Sequence, residues 1–503
     1  MKNKIIGYIL AILLMFSLSS CYEDLGNYDY TDLSEVTLNT ERDTFFVTQF
    51  DTLLIPVDVY LEDMNEDDYD FSWKLWSNDL VYTVEKSFPD MRDFEYRVTE
   101  VPGSYTLVLI CQNKTTNVKT FKEIILSVQG IISEGWLVMH EKDGQTDFDI
   151  IMSPFFTNRY DEDIVLKSLY ESVNGEKLKG RGVKISNYFA IGRYQYVVAI
   201  TDEEGVRMNA KTLQKTYDFS TLMLDGKPFK PENYFYFSYY WCLGRGSEVL
   251  ISDGRYYINT LLGNGFTQPI LKDGETYKSA KYGTKYMWLF QGMIYDDLKG
   301  RFLGVQNDLL VATELHQAEG RLFDWNDMNG SLVFMDTGFK FYEYALIKDW
   351  DTGVHGLYVM NFDLRENYDI AAYSAANCEE LDNAKYFSLG QRGNVFYYGT
   401  DNDIYLYDYA GTNASRNVYT VNDGERITGF DILRSNVDRY IQNHPYDNKV
   451  LIISTYNDAL KEGKVYMYYI NESNGDIDFT SEKVFDGFGE ILDMDYNYPI
   501  YGT

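Results

Sequence analysis

Apolar and polar residues alternate at period two along most of this chain. Leu53, Ile55, Val57, Val59 and Leu61 occupy every second position, as do Phe71, Trp73 and Leu75, and later Tyr105, Leu107, Leu109 and Cys111. Successive side chains on a strand point to opposite faces, so this period predicts strands, and no helical spacing competes with it. From Cys21 to Gly130 the short strands predict an antiparallel Ig/PKD-like sandwich of about 100 residues. Pro102-Gly103 breaks the chain before the strand that carries Tyr105.

From residue 131 to 503 the rhythm changes to pairs of strand-like runs joined by tight turns. Val249-Leu250-Ile251-Ser252 and Arg255-Tyr256-Tyr257-Ile258 flank Asp253-Gly254, the dipeptide that type I′ hairpin turns favour because both central residues need positive φ. Comparable pairs begin near Trp136, Tyr196, Val249, Phe302, Leu357, Val395 and Val450, a mean spacing of about 52 residues, close to one four-stranded propeller blade. Asp-Gly or Asn-Gly occurs at 143, 174, 225, 253, 264, 273, 329, 423, 474 and 486, and nowhere between 22 and 130. The expectation is an all-β chain: a sandwich over 21–130, then a β-propeller of seven blades, with six or eight as the neighbouring counts.

The first residues carry different information. Met1-Lys2-Asn3-Lys4 is basic, Ile5 to Phe16 is apolar, and Leu18-Ser19-Ser20-Cys21 follows. That order is a secretory signal over residues 1–20, and its apolar run is shorter than the roughly 20 residues that span a bilayer. Leu-Ser-Ser-Cys resembles a bacterial lipobox, which makes Cys21 the lipidated first residue of the mature chain. The remaining cysteines, Cys111, Cys242 and Cys378, are odd in number and far apart, which excludes a disulfide framework or a CxxC metal site.

Lys plus Arg number 45 against 77 Asp plus Glu, a formal charge of −32. Such a surface repels phosphate backbones, so nucleic acid is excluded as a partner. Catalytic signatures are missing as well. The chain has no G-x-S-x-G, and His140-Glu141 lacks the second histidine of a zinc-binding H-E-x-x-H. His140, His316, His355 and His444 stand singly and read as structural residues. No cofactor is called for. Calcium is the one ion that the acidic stretches Glu62–Asp70 and Asp349–Gly353 could collect through hard oxygen ligands.

Aromatic residues, 17% of the chain, point to binding. A Trp or Tyr ring offers a flat amphipathic surface at low ordering cost. Trp325 and Trp350 lie in polar, turn-like sequence and are the candidate ligand platforms. Trp73, Trp136 and Trp288 lie in alternating strands, and the run from Tyr234 to Trp241 reads as a buried strand.

Several features together resemble the PKD-like-family surface lipoproteins of Bacteroidota. They are the lipobox followed by Tyr22-Glu23-Asp24, the sandwich strands through Trp73 and Gly103-Ser104-Tyr105, Glu134-Gly135-Trp136-Leu137-Val138 opening the repeats, and the closing Gly463-Lys464-Val465-Tyr466 and Phe485 to Met494. The resemblance implies an outer-membrane lipoprotein facing the cell exterior, an accessory of SusC/SusD-type nutrient importers that captures a glycan or peptide. Two other readings stay open: a propeller-based glycoside hydrolase or lyase, and a structural subunit of the importer without its own ligand.

Overall fold

The computed structural model describes residues 36–49, 51–61, 65–78, 85–100, 102–130, 134–190, 194–223, 225–239, 246–260, 265–272, 274–284, 286–287, 292–306, 311–316, 319–362, 368–434 and 444–498. The signal segment, Cys21, Trp241, Cys242 and Trp288 lie outside them. The chain divides into two compact units, one drawn from the residues up to Phe45, Thr52–Arg97 and Tyr105–Leu126, the other from Phe46–Asp51, Val98–Ser104 and Ser127 onward.

In the N-terminal segment a five-stranded sheet has the order Thr44–Thr48, Lys119–Gln129, Gly103–Asn113, Tyr69–Ser77, Glu85–Phe88. Two strand pairs accompany it, Val36–Thr40 with Val57–Leu61 and Thr52–Ile55 with Phe94–Arg97. Pro56 separates Ile55 from Val57, so the alternating run from Leu53 to Leu61 is two strands with different partners; proline has no N–H to donate to a ladder. Trp73, Leu75, Leu107 and Leu109 are buried as their alternation predicts, and Trp73 donates its indole N–H to the Arg92 carbonyl at 3.1 Å.

The second unit contains, among the described residues, seven four-stranded sheets. Taken along the chain, the second is Gly182–Ala190, Tyr194–Thr201, Gly205–Asn209, Lys215–Asp218; the fifth is Gly330–Thr337, Glu343–Asp349, His355–Met360, Asp369–Ser374; the sixth is Tyr386–Leu389, Phe396–Gly399, Asp403–Asp408, Ala414–Thr420; and the seventh is Arg426–Ile432, Val450–Asn457, Glu462–Ile470, Ile477–Phe488. The third, opening with Pro231–Tyr239, and the fourth, opening with Gly292–Asp296, each complete themselves with a short parallel strand, Tyr286–Met287 and Ile270–Leu271. The first sheet joins the two ends of this unit: Gly135–Lys142 pairs with Gln145–Met152 on one side and with Glu490–Asn497 on the other.

Alternation decides how these sheets pack. Leu137 and Met139 share a core with Ile185, Val197 and Val206 of the second sheet, while Trp136 and Val138, on the opposite face, share one with Val450, Ile452 and Val465 of the seventh. Strands buried on both faces read as continuous apolar runs. Further cores join the second sheet to the third, the third to the fourth and fifth, the fifth to the sixth, and the sixth to the seventh.

Among the described residues, two Asp-Gly positions have positive φ at both residues of a hairpin turn; Asn264 and Asp273 lie outside those residues, and Asn474-Gly475 also joins paired strands, with positive φ at Gly475 alone. Asp143-Gly144 and Asp253-Gly254 have φ of 55° and 74°, and of 53° and 68°, and each joins paired strands. At two others the dipeptide serves other ends. Gly175 caps the short helix Leu169–Asn174, and Asp486-Gly487 lies inside the strand Ile477–Phe488. Leu357 belongs to the third strand of its sheet; the equivalent of the other repeat starts is Glu343–Asp349. Replacing Trp136, buried between first and seventh sheets, by Ala should cost about 3–5 kcal/mol, read as a lowered urea midpoint with an unchanged slope.

Candidate functional site: a charged cavity among the opening strands

The strand Glu490–Asn497 in the first sheet, and the opening strand in each of the others, has a sheet partner along little or none of its other edge among the described residues, so backbone N–H groups on that edge need acceptors from elsewhere. Aspartates supply them. Ile185 and Asn187, on the second sheet, donate their N–H groups to Asp493 at 2.8 Å and Asp495 at 2.6 Å, both on the strand Glu490–Asn497. Asp336, Asp431 and Asp495 stand at corresponding places, and each also accepts the N–H of the residue that follows it.

These strands surround a cavity of about 350 Å3. Its lining cations are paired, Lys385 with Asp401 outside the lining. Lys184 lies 3.0 Å from Asp493; Arg434 reaches Asp336 at 2.8 Å and Asp431 at 3.3 Å. Asp431 also accepts the Ser388 hydroxyl at 2.6 Å. Burial disfavours the Lys184 ammonium, but Asp493 and Asp495 outweigh it and raise its pKa; Asp336 and Asp431 do the same for Arg434. The Lys184 and Asp493 side chains, walled by protein, keep 30% and 20% of their surface because they border open cavity space. Tyr236, Phe334, Tyr386, Phe387 and Phe430 supply aromatic wall, with Tyr236 stacked on Tyr188 at 4.4 Å and Phe334 on Phe387 at 5.0 Å.

One flank of the cavity is fixed by Glu134, which is wholly buried. Its carboxylate accepts from the hydroxyls of Tyr496 at 2.5 Å and Thr157 at 2.8 Å, and pairs with Arg159 at 2.9 Å. His444 Nδ1 accepts the Tyr446 N–H at 3.2 Å, so the proton sits on Nε2, 2.5 Å from Glu134. Burial pushes the Glu134 pKa up, but the hydrogen bonds from His444 and Tyr496 outweigh it, and the net shift is downward. Glu134 precedes the first strand of this unit and His444 follows the seventh sheet's opening strand, so the pair holds distant parts of the sequence together.

The two tryptophans proposed from sequence take different places. Trp325 is fully buried, edge-on to Tyr368 at 5.2 Å within the core of the third, fourth and fifth sheets. It is a packing residue and not a platform; the polar sequence around it forms the turn, while the ring turns inward. Trp350 keeps 46% of its surface and donates its indole N–H to Ser331 at 2.9 Å, outside the cavity lining. In the same turn Asp349 spends one oxygen on the N–H groups of Asp351 and Thr352 and on the Thr352 hydroxyl, and Asp351 accepts from Asn329 at 2.8 Å. Among the described residues no cluster of three or more His, Cys, Asp or Glu has metal-holding geometry. Sequence reading passed over Lys184, Asp336, Asp431, Arg434, Asp493 and Asp495. The available signal was an acid directly after core residues in an apolar strand, as in Phe334-Met335-Asp336 and Gly429-Phe430-Asp431.

With this geometry in hand, comparison with known proteins adds a partial assignment. Residues 21–182 match the model of the PKD-like family. No curated protein matches the chain. Among solved structures, a quinonprotein alcohol dehydrogenase-like protein from Bacteroides thetaiotaomicron is similar over 92% of this chain and 99% of its own, at 13% identity and a TM-score of 0.41. The dihydro-heme d1 dehydrogenase NirN in complex with DHE covers 73% and 76%, at 8% identity and a TM-score of 0.39. A member of the DUF4221 family from Bacteroides vulgatus covers 72% and 83%, at 10% and 0.17.

Two outcomes follow from the site. Trp325→Ala should destabilise the protein by about 3–5 kcal/mol, seen in equilibrium urea unfolding, as a core residue does and a surface platform does not. A depressed carboxylate contributes stability above its unfolded pKa, near 4.3 for Glu, and that stability fades as pH falls through the native value. Glu134→Gln should therefore lower the urea midpoint at pH near 7 and flatten its decline between about pH 5 and about pH 3.

Proposed function

We propose that the seven sheets close into a seven-bladed propeller that binds a small nutrient molecule in its central cavity without transforming it. In this reading the chain is a lipoprotein, anchored through Cys21 at the outer membrane and facing the exterior, that serves as an accessory to a SusC/SusD-type importer of glycans or peptides. Support for closure comes from the packing of each sheet on the next, from the seventh sheet's core with the first, and from the strand Glu490–Asn497 completing the first sheet. The observation that carries the binding reading is the cavity itself, whose volume falls in the range of about 300–1,000 Å3 usual for small-ligand sites.

Binding is favoured over catalysis by the state of the acids. Asp431 takes hydrogen bonds from Ser388, the Ile432 N–H and Arg434, and Asp493 takes them from Lys184 and the Ile185 N–H. Carboxylates so engaged position groups and are poorly placed to exchange protons with a substrate. Trp350, half-exposed, is kept as an outer contact for a longer ligand.

The reading is tested in cells and in solution. Palmitate labelling and membrane retention should both disappear in Cys21→Ala. Residues 22–503, purified, should retain an intact component from a mixed glycan and peptide digest and gain thermal stability from it, with Trp350→Ala weakening retention of the longer components. Cleavage of the retained component would instead establish the hydrolase or lyase. Copurification with the importer but no retained component would establish a structural subunit.

A further inference from the structure

We infer that the cavity's occupant is a neutral, polyhydroxylated molecule, a mono- or disaccharide-sized sugar unit, in preference to a peptide or an anionic ligand. This rests on the ligand-binding reading above and narrows it.

The first ground is charge. The cations at the cavity surface already have carboxylate partners: Lys184 has Asp493, Arg434 has both Asp336 and Asp431, and Lys385 has Asp401, while Asp495 adds a fourth carboxylate to the lining. An anionic ligand, or the carboxylate of a peptide, would have to enter a lining that holds four carboxylates and displace Asp493 from Lys184 or Asp336 or Asp431 from Arg434. Breaking an enclosed ion pair leaves a desolvated charge behind, a far heavier penalty than loss of a surface pair. A neutral ligand asks for no such exchange.

The second ground is hydrogen-bonding capacity. An ammonium has three donors and a guanidinium five, more than these carboxylates take up, and these donors sit beside carboxylate oxygens with lone pairs. Donors and acceptors side by side suit a hydroxyl, which gives one hydrogen bond and accepts others. Three further polar atoms on lining residues, Trp136 Nε1, the Tyr236 hydroxyl and Gln391 Oε1, are buried without a hydrogen-bond partner. All three belong to neutral groups, whereas the lining cations are met.

The third ground is shape. Half-buried Tyr386 and Phe387 give the cavity flat aromatic wall next to the ion pairs, and a sugar ring has apolar C–H faces and a polar rim that fit such a wall. The cavity's size limits the enclosed portion to a short unit.

The test is calorimetric titration of purified residues 22–503 with three probe sets: neutral mono- and disaccharides (glucose, mannose, N-acetylglucosamine, maltose, cellobiose, xylobiose), uronic acids (glucuronate, galacturonate) and dipeptides (Gly-Gly, Ala-Lys, Ala-Glu). At least one neutral saccharide should bind, with an affinity that changes little between low and high salt, because no net charge is transferred. Lys184→Met should weaken it by about tenfold or more, with far-ultraviolet circular dichroism unchanged. Should that variant unfold, Ser186→Ala, a smaller change to another lining residue, replaces it, and the wild-type selectivity alone decides the class. Binding of a uronate or dipeptide with no neutral saccharide would overturn this inference and leave the ligand-binding reading standing. If no probe binds and no digest component is retained, both fall.

Discussion

Everything in the larger unit depends on how the open edges of its sheets are satisfied. A four-stranded sheet has two edge strands, and in several of these sheets one of them, Glu490–Asn497 in the first, borders the cavity, where water cannot be relied on to complete its backbone hydrogen bonds. The chain meets this by placing aspartates on such strands. Asp493 and Asp495 take the edge N–H groups of the next sheet, and Asp431 joins its sheet to the one before it through Ser388. One device both satisfies the edges and fastens sheet to sheet.

That solution brings a second constraint. Carboxylates set into an interior are costly unless paired, and the pairing cations come from the same region: Lys184 three residues before Asn187, Arg434 two residues after the seventh sheet's opening strand. The result is a cavity whose wall is charged and whose cations are each paired, inside a protein whose formal charge is −32. The outer acids serve solubility, their mutual repulsion screened by water and salt. Those within hold strands in register and occupy the lining cations, which leaves the cavity suited to neutral polar matter.

The strands and the division between a sandwich-like segment and a long run of repeats were legible from period-two alternation, because burial on alternate faces imposes it residue by residue. Turn dipeptides were less reliable. Asp143-Gly144 and Asp253-Gly254 form the expected hairpins, but positive φ is also what a helix terminus needs, and Asn174-Gly175 serves there. The cavity was illegible for a physical reason. Its ions pair over long separations, Arg434 with Asp336 and Lys184 with Asp493, and in a chain with 77 acids no single aspartate stands out before the sheets bring it to a partner. Trp325 misled because polar neighbours describe the turn it starts from and say nothing about where a large ring comes to rest.

The most direct test of the account is a crystal structure of residues 22–503 grown with the saccharide that the protein retains. The account predicts a ring of seven sheets with the sugar enclosed at its centre, hydrogen-bonded to Lys184 and Asp431 and lying against Phe387, while the Lys184–Asp493 and Arg434–Asp336 pairs stay intact. Sugar density confined to an outer surface, with the central cavity shut or the sheets failing to close, would contradict it.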